Sequence, residues 1–436
     1  MNTLIKPELA DRPEYYLYTN ELANLLLNSL RCEKLIQRHL ISEASLAAER
    51  LIPQAERSKH GIFFTPDKIV ENLVNSLQPE ISAGKTFFDP ACGAGNLLLG
   101  IARETPIGPD LDETISLWSQ RFGGCDLSSS FVEAAKLRLI FLAAYKHGLP
   151  ELSEDYLTSL LNRFSNFHVG DYLKGAHGGN FDCIIANPPF SHVQVEKECN
   201  WSSGRTQLAA IFIAKIIQIS RPGQRVVAVL PDVLRSGSRY DKWRTFIEEN
   251  SKQGASYLLG RFAADVDVDV FILDFIKSNQ SGSPEKINWI PQRPHTGEHV
   301  KLGDLYDVCV GPVVPFRLSG RGNFSPYITA KNCPQFGEVS KSTKIRFDGR
   351  KIEPPFVVIR RTSNPSDKNR LITTLINCTE PVAVENHLIV MRPKDGRIES
   401  CKRLIDLLAQ PDATAQMNEK IRCRHLTVRS IKEMEF

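Results

Sequence analysis

The chain has 436 residues, 42% apolar and 24% charged, the composition of an ordinary globular protein with room for two or three domains. No apolar run reaches the roughly 18 residues of a membrane span, and the start, MNTLIKPELADRPEYY, lacks the apolar core of a secretory signal; the ten Cys form no C-x-x-C pair, which argues against a zinc site or a disulfide framework and fits a reducing cytoplasm. The net charge of +4 hides a gradient: residues 301–436 carry 23 Lys and Arg against 15 Asp and Glu, and the remainder 31 against 35, so a basic C-terminal third suited to a polyanion follows a slightly acidic body.

Residues 15–50 repeat Leu22, Leu25, Leu26 and Leu30, then Leu35, Ile36 and Leu40, near helical spacing, and predict one or two helices with no evident chemistry. In Lys59-His-Gly-Ile-Phe-Phe-Thr-Pro66, Thr65 can cap the helix that follows and Pro66 suits its first turn. In Phe87-Phe-Asp-Pro-Ala-Cys-Gly-Ala-Gly-Asn96, a short strand runs into Asp89 and a glycine turn opens an amphipathic helix. Gly93 and Gly95 let the backbone approach a bound nucleoside, yet the pattern is neither a P-loop nor G-x-G-x-x-G. Arg121–Leu127 begins a second strand–helix unit ending at Asp126, an acid suited to both ribose hydroxyls or to a helix cap, with Ser128 to Ser130 as rival caps. Phe167–Leu173 holds a Gly-Asp turn at Asp171.

Phe181-Asp-Cys-Ile-Ile-Ala-Asn-Pro-Pro-Phe190 is a strand buried on both faces that stops at Asn187. Two prolines cannot continue a ladder, so they set a stiff turn where open α/β sheets bind ligands. Residues 191–206 are polar and patternless and predict a mobile loop. Beyond them the pattern gives a helix at 207–220, a buried strand, a second helix and two last strands. Asp265, Asp267 and Asp269 alternate with Val as the polar face of a strand, not as a calcium loop. A composition change near 278 marks a linker, and a β-rich segment ending in a helix and a basic tail follows.

Taken together, Asn-Pro-Pro-Phe, Phe-Phe-Thr-Pro and Asp-Pro-Ala-Cys-Gly-Ala-Gly-Asn resemble the N6-adenine DNA methyltransferases of the gamma class of amino-methyltransferases, such as type I modification subunits and fused type II enzymes. The close resemblance covers about residues 59–277. It implies a Rossmann-like S-adenosylmethionine-dependent α/β sheet with N-terminal helices, and a C-terminal α+β recognition domain similar to one target-recognition unit of a type I specificity subunit. The implied domains are 1–58, a helical extension; 59–277, catalytic; 278–299, linker; and 300–436, DNA recognition. By the same resemblance Asn187, Pro188, Pro189 and Phe190 are catalytic, and Thr65, Asp89, Pro90, Ala91, Gly93, Gly95, Asp126 and Asp171 hold the cofactor S-adenosylmethionine. Phe190 and Phe262 are matched to the rings that stack on a flipped adenine. Arg360, Arg361, Lys368 and Arg370 are candidates for DNA contact.

The implied partner is double-stranded DNA in a prokaryotic cytoplasm, with a cognate restriction endonuclease allowed; no membrane and no metal enters the transfer. The Asn-Pro-Pro-aromatic motif also serves RNA and protein-glutamine methyltransferases, and a catalytically inactive specificity protein is a third reading. The basic C-terminal third and Phe-Phe-Thr-Pro favour DNA, and the intact Asp89, Gly93, Gly95, Asp126 and Asn187 favour an enzyme.

Overall fold

The computed structural model describes residues 11–28, 33–175, 177–195, 199–263, 266–279, 286–290 and 300–436. Two compact units form, residues 1–234 with 240–288 and residues 235–239 with 289–436. Asp265 and most of the expected linker lie outside the described residues.

The first unit is built on β1 (Phe87–Asp89), β2 (Phe122–Asp126), β3 (Phe167–Val169), β4 (Cys183–Ala186), β7 (Arg225–Pro231), β8 (Ser251–Arg261) and β9 (Asp269–Lys277), in the sheet order β3-β2-β1-β4-β7-β9-β8. The first five are parallel and β9 runs antiparallel to β7 and β8. All four residues of β4 are buried, as a strand covered on both faces requires. Phe87 packs into the core shared with the helices Asn96–Glu104 and Ser129–Lys146. Its neighbour Phe88 points the other way, onto Phe181 at 5.2 Å and Tyr172 at 6.3 Å between ring centroids. Tyr172 in turn stacks on Phe212 of the helix Leu208–Ile219 at 5.8 Å. The strand order reverses between β1 and β4, so the carboxyl ends of these two strands open a crevice.

The described residues between 15 and 60, which leave out Leu30, fold as the helices Tyr16–Leu27, Glu33–Ile41, Glu43–Leu51 and Gln54–His60, more pieces than the periodicity alone suggests. They are not a separate body: Tyr15, Tyr18, Leu22, Leu26 and Leu40 are buried in the same core as Phe131, Ile140 and Phe141. Each large apolar side chain so buried contributes roughly 1.5–3 kcal/mol. The polar stretch expected to be a mobile loop instead contains a hairpin, β5 (His192–Gln194) with β6 (Arg205–Gln207), in which Gln207 Nε2 and His192 Nε2 meet at 3.0 Å. Its ladder bonds explain what composition missed, since two three-residue strands leave no hydrophobic period to read.

The second unit is β-rich. Strands β10 (Tyr306–Val310), β12 (Gly337–Val339), β14 (Phe356–Arg360), β15 (Thr373–Ile376) and β17 (Leu388–Pro393) form a sheet in the order β10-β17-β14-β15-β12. Strands β11 (Asn323–Ile328), β13 (Lys344–Phe347) and β16 (Ala383–Val384) form a smaller one, β13-β11-β16. Alternation along β14 serves two cores: Val357 and Ile359 meet Leu404 and Met417, while Phe356 and Val358 meet Ile328 and Val382. The helix expected near 399 spans Ile398–Leu408, but the expected basic tail folds into two more helices, Pro411–Lys420 and Val428–Lys432. The last begins with a capping box between Thr427 and Ser430.

Candidate active site

At the end of β4 the ladder stops and Asn187 is free to turn its amide into the crevice. Its Nδ2 donates to Thr65 Oγ1 at 2.9 Å and to the Phe63 carbonyl at 3.4 Å. Its Oδ1 is buried and has no hydrogen-bond partner among the described residues. An orphaned buried acceptor costs about 1–3 kcal/mol, so a donor brought to it would recover that cost. Thr65 does not cap the following helix as its position suggested: that helix starts at Asp67 with Pro66 at the cap, and the Thr65 hydroxyl is turned to Asn187 instead.

A relay fixes Thr65. Arg138, 1% exposed, donates to the Ala94 carbonyl at 2.7 Å and to Asn96 Oδ1 at 2.5 Å, and Asn96 Nδ2 donates to the Thr65 carbonyl at 2.8 Å. Neither Arg138 nor Asn96 stood out as functional from the sequence. The available signal was an arginine inside the apolar run Leu137-Arg-Leu-Ile-Phe-Leu142, since arginine is seldom buried without partners to hold.

The glycine turn lies under the segment 61–66. Gly93 has φ +49°, and a Cβ there would sit 2.7 Å from the Phe64 ring. Gly61 has φ +69°, and a Cβ there would meet Pro189 Cβ at the same distance. Both positions combine a left-handed backbone with a contact only glycine allows. Asp89 closes β1 and is 2% exposed. Among the described residues its carboxylate accepts one hydrogen bond, from the Ala91 amide at 3.1 Å. Burial pushes its pKa up to about 8; the Ala91 amide pulls it back and the charge of Asp126 raises it further. Asp126, at the end of β2, accepts the Gly93 amide on Oδ2 and the Ser128 amide on Oδ1, both at 3.0 Å, and burial raises its pKa despite these bonds.

The rival caps for the helix Ser129–Lys146 are replaced by a residue from the chain start. Asp11 Oδ1 accepts the Ser129 amide at 3.1 Å and the hydroxyls of Ser129 and Ser128 at 2.9 and 3.2 Å. The next residue, Arg12, donates its amide to Ser128 Oγ at 3.2 Å and lines the cleft beside Asp126. Sequence reading missed both, because this segment has no periodicity and its partners lie more than a hundred residues away.

Arg12, Phe63, Phe64, Pro90, Ala91, Gly93, Asp126, Phe131, Asp171 and Asn187 thus line one cleft enclosing about 930 Å³, partly open to solvent. Asp89, Thr65 and Asn187 meet in a smaller compartment of about 250 Å³ between the segment 63–65 and the glycine turn. Gly95, also of positive φ, backs the turn against Ala135. Asp171 accepts the Leu173 amide at 3.0 Å and has Lys174 at 3.8 Å.

Phe190 and Phe262 are brought together, but not as the two walls of a slot. Their rings meet edge to face, 5.6 Å between centroids at 79°. Parallel walls around a planar base would stand about 7–8 Å apart. Phe262 is 4% exposed, whereas Phe190 is half-buried and packs against the edge of the same core. Phe262→Ala should therefore cost stability, about 3–5 kcal/mol as a large-to-small core change, visible as a lower melting temperature. Phe190→Ala should reduce turnover with little change in melting; turnover equal to the wild type would remove Phe190 from the site.

In the second unit the basic candidates separate. Lys368 is exposed, and Arg360 and Arg361 are half-buried, donating to the carbonyls of Cys333 at 3.2 Å and Asn386 at 3.5 Å. Arg370 is 0% exposed. It donates to Ser363 Oγ at 3.2 Å and Asn418 Oδ1 at 2.8 Å, and to the carbonyls of Ile421 and Cys423. It is a core residue that ties the C-terminal helices to the sheet, not a DNA contact. Arg370→Ala, which strands these acceptors, should lower the melting temperature sharply; an unchanged melting curve with weakened DNA binding would reverse that assignment.

A parallel-rich sheet with its crevice at the β1/β4 reversal, a glycine turn after β1 and an acid after β2 defines the methyltransferase type of α/β fold. The chain belongs to the N-6 DNA methylase family, whose model matches residues 50–293. It is similar to the modification methylase CviBIII of Paramecium bursaria Chlorella virus NC1A, at 22% identity over 46% of this chain and 45% of that protein, so it spans less than half the length of that relative. Among solved structures, the type IIL restriction-modification enzyme MmeI in complex with DNA is similar over 89% of this chain and 70% of that one, at 12% identity and a TM-score of 0.53. The M protein of the type I restriction enzyme EcoKI is similar over 62% and 55%, at 16% identity and a TM-score of 0.37. At 12% identity the likeness to MmeI bears on the fold alone.

Proposed function

We propose that the chain is a site-specific DNA adenine-N6 methyltransferase that uses S-adenosylmethionine and serves as the modification enzyme of a restriction-modification or phage-defence system. The observation that carries this reading is the orphaned Oδ1 of Asn187, buried at the end of β4 with its amide nitrogen already held by Thr65. An amide clamped this way offers an acceptor of fixed direction. The amino group of adenine, a weak nucleophile whose lone pair is delocalised into the ring, is the donor that profits from it. With a second acceptor in the Pro188 carbonyl, Asn187 favours a tetrahedral nitrogen with its lone pair directed at the methyl group, which is catalysis by orientation and fixed dipoles.

The residues of the cleft fit the cofactor. Asp89, buried with only a backbone amide for a partner, suits an ammonium group; Asp126 keeps lone pairs for a ribose diol; Asp171 and the Tyr172 edge suit an adenine. When bound, S-adenosylmethionine supplies an electrophilic methyl carbon on a sulfonium. The chain's part is to orient the amine, to exclude water beneath the segment 61–66, and to let the amine proton pass to solvent after transfer. No covalent enzyme intermediate is needed; Cys92 is buried and its thiol pKa pushed well up, unsuited to a nucleophile. The base must leave the helix stack, at a cost of a few kcal/mol.

The test is transfer of labelled methyl groups from S-adenosylmethionine to unmethylated genomic DNA, followed by mapping of the modified bases. N6-methyladenine in one short sequence context supports the reading. Label on RNA or on protein glutamine, with DNA unlabelled, would overturn it.

A further inference from the structure

In the second unit, exposed guanidiniums with exposed aromatic rings beside them gather in the stretch 315–324 and at Arg346 of β13, not at Arg360, Arg361 or Arg370. All ten residues of Pro315-Phe-Arg-Leu-Ser-Gly-Arg-Gly-Asn-Phe324 are exposed, with Phe316 at 84% and Phe324 at 59%. Water-facing phenylalanines at this level, two within nine residues, mark a surface kept for contact. Each has a guanidinium beside it. Arg317 lies 5.6 Å from the Phe316 ring centre, and Arg346, opposite Phe324 in the β11–β13 ladder, lies 4.8 Å over that ring. Arg317, Arg321 and Arg346 make no ion pair with a carboxylate among the described residues, whereas nearby Lys344 is paired with Glu380 at 2.7 Å. From 315 to 350 the chain carries seven Lys and Arg against two Asp and Glu. The stretch is rooted: Gly322 has φ +89°, and a Cβ there would stand 2.6 Å from the backbone of Phe347 and Asp348, so the turn is seated directly on β13.

We propose that this arginine–phenylalanine surface is the DNA-contacting face of the second unit, with Arg317, Arg321 and Arg346 on phosphates and the rings of Phe316 and Phe324 against bases or sugars. The inference deepens the reading of the chain as a DNA methyltransferase and rests on it. Charge selects the partner. A protein interface built on exposed rings matches its guanidiniums with carboxylates, whereas this one carries an uncompensated positive field of the kind phosphate neutralises. Apolar rings flanked by guanidiniums can also pack against the sugars and base edges of a duplex groove.

The test uses the full chain and a fluorescent 40-base-pair duplex of mixed sequence, with anisotropy read over a series of NaCl concentrations. Replacing both Arg317 and Arg321 by Ala should make the dependence of log affinity on log salt shallower by about 1.8, two phosphate contacts at roughly 0.9 each. Replacing both Phe316 and Phe324 by Leu should weaken binding about tenfold or more, while Tyr at both positions should retain it. Melting temperature and cofactor binding should stay those of the wild type in all variants. Unchanged salt slope and affinity in the variants would overturn the proposal. So would Leu variants that bind DNA normally but lose self-association in sedimentation, which would make the surface an interface between copies of the chain. Failure of the activity reading looks different: wild-type protein would put no methyl groups on genomic DNA, whatever the variants do in binding.

Discussion

Asn187→Ala should lower methyl transfer to DNA by on the order of 10²–10³-fold or more, the loss seen when one preorganised polar partner of a transition state is removed, and should leave cofactor affinity close to the wild type. The two ends of the Asn187 amide do different work. Oδ1 is a buried acceptor with no partner among the described residues, and Nδ2 ties β4 to the segment 61–66 through Thr65 and Phe63. Alanine removes both. Thr65→Val removes the main acceptor of Nδ2 while leaving Oδ1, so it should cost much less in the single-turnover rate and more in cofactor KM. Rates measured at saturating cofactor and DNA separate the effects. If Asn187→Ala lost cofactor binding as severely as methyl transfer, its role would be to hold the cofactor compartment shut, not to orient the amine.

Cofactor affinity should rise with pH from about 6 to 8, approaching tenfold per unit, and level off above the Asp89 pKa of about 8. The sign follows from burial. Without a cation beside it, the Asp89 carboxyl holds a proton through neutral pH. An ammonium group selects the carboxylate, so binding must expel that proton, and a lower proton concentration favours it. Calorimetry of S-adenosylmethionine binding in buffers of different ionisation enthalpy should register close to one proton released near pH 7. Asp89→Asn should abolish the pH dependence and raise cofactor KM roughly 10- to 150-fold, the range of a charge-assisted hydrogen bond of about 1.5–3 kcal/mol. Its turnover at saturation should survive within a few-fold. A flat pH profile in the wild type would show that Asp89 does not meet the ammonium.

What could be read from the sequence was whatever the chain states locally. The strand Cys183–Ala186, its stop at Asn187, the glycine turn after Phe88-Asp89 and the acid Asp126 are each written in fewer than ten consecutive residues, and the structure gathers them around one crevice. The resemblance to adenine methyltransferases used the same short words, and the family match over 50–293 agrees with it. What could not be read depends on partners far apart in sequence. The relay Arg138–Asn96–Thr65–Asn187 draws on four elements, and its arginine looked like a blemish in an apolar helix. The basic residues near β14 illustrate the converse error. Arg360, Arg361 and Arg370 are adjacent in sequence to a turn, but alternation along the strand and the packing of the last helices decide which of them meets water, and Arg370 meets none. The relative attitude of Phe190 and Phe262 depends on rotamers that no motif specifies.

The clasp between Asp11 and the helix Ser129–Lys146 bears on how this protein can be cut and recombined. A catalytic piece begun at residue 59, where the motifs start, would lack Tyr15, Leu22 and Leu40, whose burial completes the core. It would also lack the carboxylate that takes up the Ser129 amide and the Ser128 and Ser129 hydroxyls. The helix left bare there follows directly on Asp126, so the Asp126 end of the cleft would loosen with it. The smallest transplantable catalytic module therefore starts before Asp11, and a fusion partner or affinity tag joined at that end should be separated from it by a spacer rather than abutted.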